Sequence, residues 1–181
     1  MAKKAKFKLD AKSAIPIAGA LIATVLSFAL VPYLTQLESF GYIGAFVIAL
    51  ISNATVIFPA PGWAIIIAMG RVLDPVLLAI AAGLGSGLGE LSAFALGYGG
   101  AAAAQSEKLV QLREQKKWLK KYDVLAIFVL AAIPNPLFDL AGIAAGAMKM
   151  PVWRFLIPCI LGKIIKTLVL AELGLLTLLL F

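Results

Sequence analysis

The chain has no histidine and a single cysteine, Cys159, in 181 residues. That excludes an internal disulfide framework and a Cys/His metal cluster. It also removes the commonest general base. Ser86 is the one nucleophile weighed, and it lies inside an apolar helix without a base suited to activate it. The expectation is therefore no enzyme, no metal and no cofactor. Cys159 sits in an apolar run and reads as a small packing residue. Acidic residues are scarce, 9 against 16 basic ones, and charged residues of both signs make up only 14% of the chain. Polar stretches are correspondingly few. Hydrophobic residues account for 62%, and the mean hydropathy is +1.02. A soluble core of this size does not need that much apolar surface.

What is present is long apolar runs. Ser13–Leu34, Pro75–Tyr98 and Pro151–Phe181 each exceed the roughly 18 residues that mark a spanning helix. None shows the polar face of a soluble amphipathic helix. Lipid offers the backbone no hydrogen bonds, so these segments must be helical. The fold class expected is an all-α integral membrane protein in one domain, 1–181. Five lysines (Lys3, Lys4, Lys6, Lys8, Lys12) precede the first run, and Lys108, Arg113, Lys116, Lys117, Lys120 and Lys121 crowd a mid-chain segment. Positive-inside logic places both in the cytoplasm, with the N-terminus cytoplasmic in a cell (inner or plasma) membrane. Nucleic-acid binding is set aside as a partner class, because these lysines flank membrane segments. The basic start and apolar stretch resemble a signal peptide, but no convincing cleavage site follows. Residues 1–12 therefore read as a cytoplasmic tail and 13–35 as a retained first transmembrane helix.

Two further apolar pieces are too short to span. Gly44–Phe58 covers about 22 Å at ~1.5 Å per residue, against a hydrocarbon core of about 30 Å. It meets Pro59-Ala60-Pro61-Gly62, where proline removes a helical hydrogen bond and restricts its predecessor. Trp63–Val72 follows, ending near Arg71 and Asp74. The pattern recurs as Val124–Ile133, then Pro134-Asn135-Pro136, then Leu137–Met148, ending at Lys149. Pro59 and Pro61 match Pro134 and Pro136 at an offset of 75, and Gly70 and Pro75 match Gly146 and Pro151 at 76. The expected architecture is two re-entrant helical hairpins, each followed by a transmembrane helix, in inverted repeat: repeat 1 over 39–98 and repeat 2 over 123–181. Between them, 99–122 is a basic cytoplasmic segment. There Gln105–Tyr122 reads either as an amphipathic surface helix, with Leu109, Leu112 and Trp118 toward lipid, or as a solvated loop. Paired broken helices in corresponding positions point to a transporter site at the midplane. The bland alternative is proline-kinked continuous helices.

The ordered set of motifs resembles the DedA / VTT-domain family, also called the SNARE-associated Golgi protein family. The stretches that carry the resemblance are Phe58-Pro-Ala-Pro-Gly62, Gly83-Leu-Gly-Ser-Gly-Leu-Gly-Glu90 leading to Gly97-Tyr-Gly-Gly100, Ile133-Pro-Asn-Pro-Leu-Phe-Asp-Leu-Ala-Gly142, Arg154-Phe155 and Gly162-Lys163. The resemblance implies two re-entrant hairpins and movement of an anionic lipid, undecaprenyl phosphate in bacterial relatives or phospholipid in eukaryotic ones. This chain departs from the bacterial pattern. It has Ser52-Asn53 and Trp63 where those members carry acids, and Ala131-Ala-Ile-Pro-Asn-Pro-Leu137 where they carry two arginines. It therefore resembles a divergent branch.

Ionisable residues inside a membrane are functional candidates by default. Glu90 lies near the middle of its helix. Lys163 and Lys166 share a face of the last one. All three are expected at a common cavity, with the lysines offsetting an anionic headgroup and Glu90 holding them in register or exchanging a proton. The competing reading is a buried structural ion pair with one lysine snorkelling. Asp139 reads first as a cap for the half-helix after the second break, with a protonatable transport site as the alternative. Asn53 and Asn135 are expected to satisfy freed backbone groups or line the cavity. The hairpin breaks are Pro59, Pro61, Gly62, Pro134 and Pro136, after which half-helix N-termini would attract phosphate. Arg71, Lys149 and Arg154 read as interfacial anchors or headgroup contacts. The function expected is translocation of an anionic membrane lipid between leaflets. A proton-coupled solute transporter and a non-transporting scaffold are the alternatives, and a homo-oligomer is left open.

Overall fold

The computed structural model describes residues 40–54, 62–103, 117–133 and 138–180, with isolated helical positions between 14 and 22. Every element among these residues is helical: α1 (Gly41–Ala54), α2 (Gly62–Met69), α3 (Pro75–Gly89), α4 (Leu91–Ala103), α5 (Lys117–Ala132), α6 (Phe138–Ala147) and α7 (Val152–Leu180). The basic tail, nearly all of the expected first helix, residues 104–116, the break prolines Pro59, Pro61, Pro134 and Pro136, and Asn135 lie outside the described residues.

Local chemistry explains the element ends. The carboxylate of Asp74 accepts from the backbone N–H groups of Val76 at 3.0 Å and Leu77 at 2.9 Å, and Pro75 opens the first turn of α3. An aspartate cap before an N-terminal proline satisfies donors the helix cannot use itself. The Asp74 N–H donates to the Tyr42 hydroxyl at 3.2 Å, tying the start of α3 to α1. At the far end of α6, Lys149 adopts φ 50°. Its N–H donates to Gly146 O at 2.9 Å, and Met150 N–H donates to Ala145 O at 3.0 Å. That is the two-bond left-handed helix stop usually built on glycine. Asp74 and Lys149, read from sequence as markers of the hairpin bases, thus both do backbone work.

α3 and α4 run on as one apolar stretch, Pro75–Gly100, interrupted at Glu90. Its 26 residues are long and apolar enough to cross a membrane by length and composition. α7 is longer, 29 residues, and carries Pro158 within it. α1 and α6 are short apolar helices of 14 and 10 residues. One boundary differs from expectation. Lys117–Tyr122 are not a separate segment but the opening turns of α5, continuous with the apolar piece up to Ala132. Nothing between Lys117 and Ala132 is glycine or proline, so no residue there stops the helix.

The packing repeats itself. α1 lies on α3 and α5 on α7, while α2 crosses to α7 and α6 crosses to α4. The first half of each short pair therefore packs on its own long helix, and the second half on the other's. α3 and α7 meet at Gly83 against Ile164 and Gly87 against Ile160; adding 77 to 83 and to 87 gives 160 and 164, so the two contacts are one contact with its roles exchanged. Gly97 against the Ile143 carbonyl and Gly174 against the Ile67 carbonyl recur in the same way, at offsets of 77 and 76. At both glycines a methyl group would overlap the facing carbonyl oxygen, so only glycine permits the approach. Two apolar cores result. One is built on Ile48, Ile66, Met69, Leu78 and Ala171, the other on Phe94, Ile127, Phe138, Phe155 and Cys159. Phe155 sits at the centre of the second, with its ring 5.0 Å from Phe94 and 6.3 Å from Phe138.

Candidate functional site: a charged cluster and polar pocket between the two cores

Where the two cores meet, polar side chains gather from three directions. Lys163, on α7, is 3% exposed, and Glu90, at the α3–α4 junction, is 1% exposed. The lysine ammonium is ion-paired with Glu90 Oε1. It also donates to Asn53 Oδ1 of α1 at 2.9 Å and lies 4.7 Å from the centre of the Phe138 ring of α6. One ammonium thus joins a carboxylate, an amide and an aromatic face, each from a different element. A buried charge pair is tolerable only when hydrogen bonds of this kind surround it. Asn53 in turn donates to its own helix at Ala49 O, 2.8 Å, and to Ser86 Oγ of α3, 3.2 Å. Ser92 donates to Ala54 O at 2.9 Å and to Gly89 O at 3.0 Å, which holds the end of α1 to the break at Glu90.

Beside this network is a cavity of about 110 Å³. Its polar lining is Ser52, Asn53, Ser86, Lys163, Lys166 and Thr167, and Trp63 and Gly62 from the first turn of α2 also border it. No carboxylate is among its described lining residues. A single water needs roughly 10–15 Å³ on this measure, so the cavity has room for several waters or one phosphate-sized group. Trp63, which borders it, is 60% exposed. Gly62 is required where it is, because a methyl group there would overlap the Ser52 hydroxyl.

The structure brings Asn53, Glu90, Lys163 and Lys166 together, with Asp139 in electrostatic reach of Glu90 and both lysines. One placement differs from the sequence reading: Glu90 pairs with Lys163 and is not among the residues lining the cavity. Asp139 is in the first turn of α6, as the cap reading has it. Arg154, read as an interfacial anchor, forms an ion pair with Asp123 at 2.7 Å and so ties the first turn of α7 to α5. Arg71 is exposed on the turn after α2. Sequence reasoning missed Ser52, Ser86, Thr167 and Phe138. The available signal was weak: a hydroxyl inside an apolar helix, or an aromatic two residues past a proline.

Comparison with known proteins follows the same segment. The VTT domain family profile matches residues 59–176. Among curated proteins, Vacuole membrane protein KMS2 of Arabidopsis thaliana is 33% identical over 131 residues, covering 61% of this chain and 31% of that protein. Vacuole membrane protein KMS1 of the same plant is 36% identical over 112 residues, covering 50% and 27%. Vacuole membrane protein 1 of Homo sapiens is 44% identical over 50 residues, covering 28% and 12%. The chain thus spans less than a third of the length of these relatives. No solved structure matches.

Proposed function

This chain belongs to the VTT domain family and is a membrane protein, and on that premise we propose that it is a non-catalytic transporter moving an anionic lipid between leaflets. The observation that carries the proposal is the pocket beside Lys163. It offers two lysines, three hydroxyls, an amide and the first turn of α2, with no carboxylate among its described lining residues. Those are the donors that phosphate recognition uses. We read the exposed Trp63 at its border as the entrance for a lipid, whose headgroup enters while its chains stay in the surrounding hydrocarbon.

The architecture supports alternating exposure. Each short pair, α1–α2 and α5–α6, packs half on its own long helix and half on the other's. We read the pairs as re-entrant hairpins of opposite orientation, with the contacts that recur at an offset of 77 as the trace of the repeat. Rocking one half against the other would then open the pocket to each side in turn. Positive-inside charge puts the N-terminus and the basic segment before α5 in the cytoplasm of a cell membrane.

The test is transbilayer movement of a labelled anionic phospholipid, and of a polyprenyl phosphate, in proteoliposomes. Lys166→Gln is the informative variant, because Lys166 lines the pocket without making the Glu90 pair. Movement in the wild type that drops at least about tenfold in Lys166→Gln is expected, the equivalent of ~1.4 kcal/mol in the transition state. No movement of either lipid by the wild type would refute the proposal.

A further inference from the structure

α5 packs on α7 and α6 crosses to α4, so the two arms of the second short pair are held by different long helices. Between them lies a cavity of about 290 Å³. It shares no lining residue with the pocket beside Lys163. Its walls are made of small side chains, Ala126 of α5 on one side and Ala141, Ala144 and Ala145 of α6 on the other. The first half of the chain has no such space, and its residues give the reason. At the offset of 76 that relates Ile67 to Ile143, Ile65 stands in the place of Ala141 and Met69 in the place of Ala145. Met69 is buried in the first core, and Ile65 packs against that core. Two large side chains fill in one half what two methyl groups leave open in the other.

The cavity is a half-open groove rather than an enclosed void, and Tyr122, Leu130 and Ala144 on its walls are exposed. Its size is roughly twice that of an apolar cavity that stays dry and holds a benzene ring. Hydrocarbon, not water, therefore suits it. The two ends differ. Among the described lining residues the polar side chains are Tyr122 and Asp123, both in the early turns of α5. The Arg154 guanidinium donates to Asp123 at 2.7 Å. Lys149 is exposed and stands between Met148 and Met150, which both line the groove. Two cations against one carboxylate leave this end net positive. Leu130 and Ala141, roughly 10 Å further along their helices by the rise per residue, are apolar. Positive charge at one end and bare hydrocarbon walls along the rest match the polarity of an anionic lipid.

We propose that the groove between α5 and α6 binds one acyl chain of an anionic phospholipid, with its phosphate at the Lys149 and Arg154 end, as a bound lipid separate from any that the Lys163 pocket carries. Moving a chain from the bilayer into the groove gains little hydrophobic energy, because the surrounding tails are as apolar as the walls. Binding draws instead on two other sources. One is the dispersion contact that the alanine walls otherwise lack. The other is the charge at the headgroup end, where each basic residue near a membrane surface favours an anionic lipid by about fivefold. A zwitterionic lipid offers the same chain without the net charge and so binds more weakly. The bound chain braces α5 against α6, as Ile65 and Met69 brace the first half. Because the two sites share no lining residue, this site stands or falls apart from the transport reading.

The experiment is local, so that lipid bound at the Lys163 pocket does not enter the reading. Ala144→Cys places a thiol on the exposed wall of the groove. The native Cys159 is buried, so the new thiol is the one that reacts. Its rate of labelling by N-ethylmaleimide is followed in neutral detergent, with added phosphatidylglycerol or with phosphatidylcholine of the same chains. At ten times its Kd, phosphatidylglycerol should slow labelling about tenfold, the factor by which the empty groove is depleted. Phosphatidylcholine should need about fivefold more lipid for the same protection. Lys149→Asn, which suits the left-handed turn at that position, should remove this preference and leave protection by phosphatidylcholine unchanged. Ala141→Ile with Ala145→Met puts the side chains of the first half into the groove and should abolish protection by either lipid. Unchanged labelling of Ala144→Cys at saturating phosphatidylglycerol overturns the proposal, and this measurement does not depend on the filled variant folding. Protection that survives in a folded filled variant overturns it as well. Equal protection by the two lipids overturns the assignment of the headgroup end.

Discussion

Lys163→Met removes one charge from the buried cluster and keeps most of the side-chain volume. Three partners lose their contact at once: Glu90 Oε1, Asn53 Oδ1 and the face of Phe138. Glu90 is then left 1% exposed with no cation in contact and with Asp139 as its neighbour. Breaking a buried pair from one side costs about 3–5 kcal/mol, because the remaining charge is uncompensated. Glu90→Gln should cost less, about 1–3 kcal/mol. Its amide oxygen still accepts from Lys163, and the ammonium keeps its bond to Asn53 Oδ1. The double variant leaves neither charge of the pair buried, so it should be more stable than the sum of the singles by about 1–3 kcal/mol. The assay is reversible unfolding in mixed micelles of rising denaturing-detergent fraction, followed by circular dichroism. Lys163→Met within about 0.5 kcal/mol of wild type, the range of an ordinary surface substitution, would refute the reasoning. Strict additivity in the double variant would refute it equally.

Two smaller predictions concern how the helices are joined and begun. Gly97→Ala and Gly174→Ala each place a methyl group onto a carbonyl of the facing helix, at matched positions of the two halves. Each should destabilise by about 1–3 kcal/mol in the same unfolding assay, and a neutral effect at either would contradict the packing described. Asp74→Ala removes the acceptor for Val76 and Leu77. It should cost about 1 kcal/mol and speed amide exchange at those two residues; unchanged exchange there would show that the cap contributes nothing.

The helical class of the chain was legible from hydropathy alone, because a backbone without access to water has few other ways to satisfy itself. The short elements were legible from proline. The pieces Gly44–Phe58, Trp63–Val72 and Leu137–Met148 correspond to α1, α2 and α6 within a few residues. The reading failed at α5, where a shift from basic to apolar residues was mistaken for an element boundary. Helices stop where the backbone is stopped, and between Lys117 and Ala132 nothing stops it. An offset of 75 to 76 between matching prolines and glycines was visible in the sequence. The sequence could not show that the same offset, lengthened to 77, exchanges the contacts of Gly83 and Gly87.

The candidate site divides in the same way. Glu90, Lys163 and Lys166 stood out because charge is rare in apolar runs, and that rarity is a property of sequence. Both lysines line the pocket, but which of them meets Glu90 depends on how α7 is rotated against α3, and close packing at Gly83 and Gly87 sets that rotation. Asp139 reads as a helix cap from its neighbours along the chain, and its place in the first turn of α6 agrees with that. That α6 crosses onto α4, on the far side of Glu90 in the chain, is decided by tertiary packing. Composition and periodicity determined that this chain is a helical membrane protein with a few costly charges. Tertiary packing decided how those charges pair, since pairing depends on distances between elements far apart in the chain.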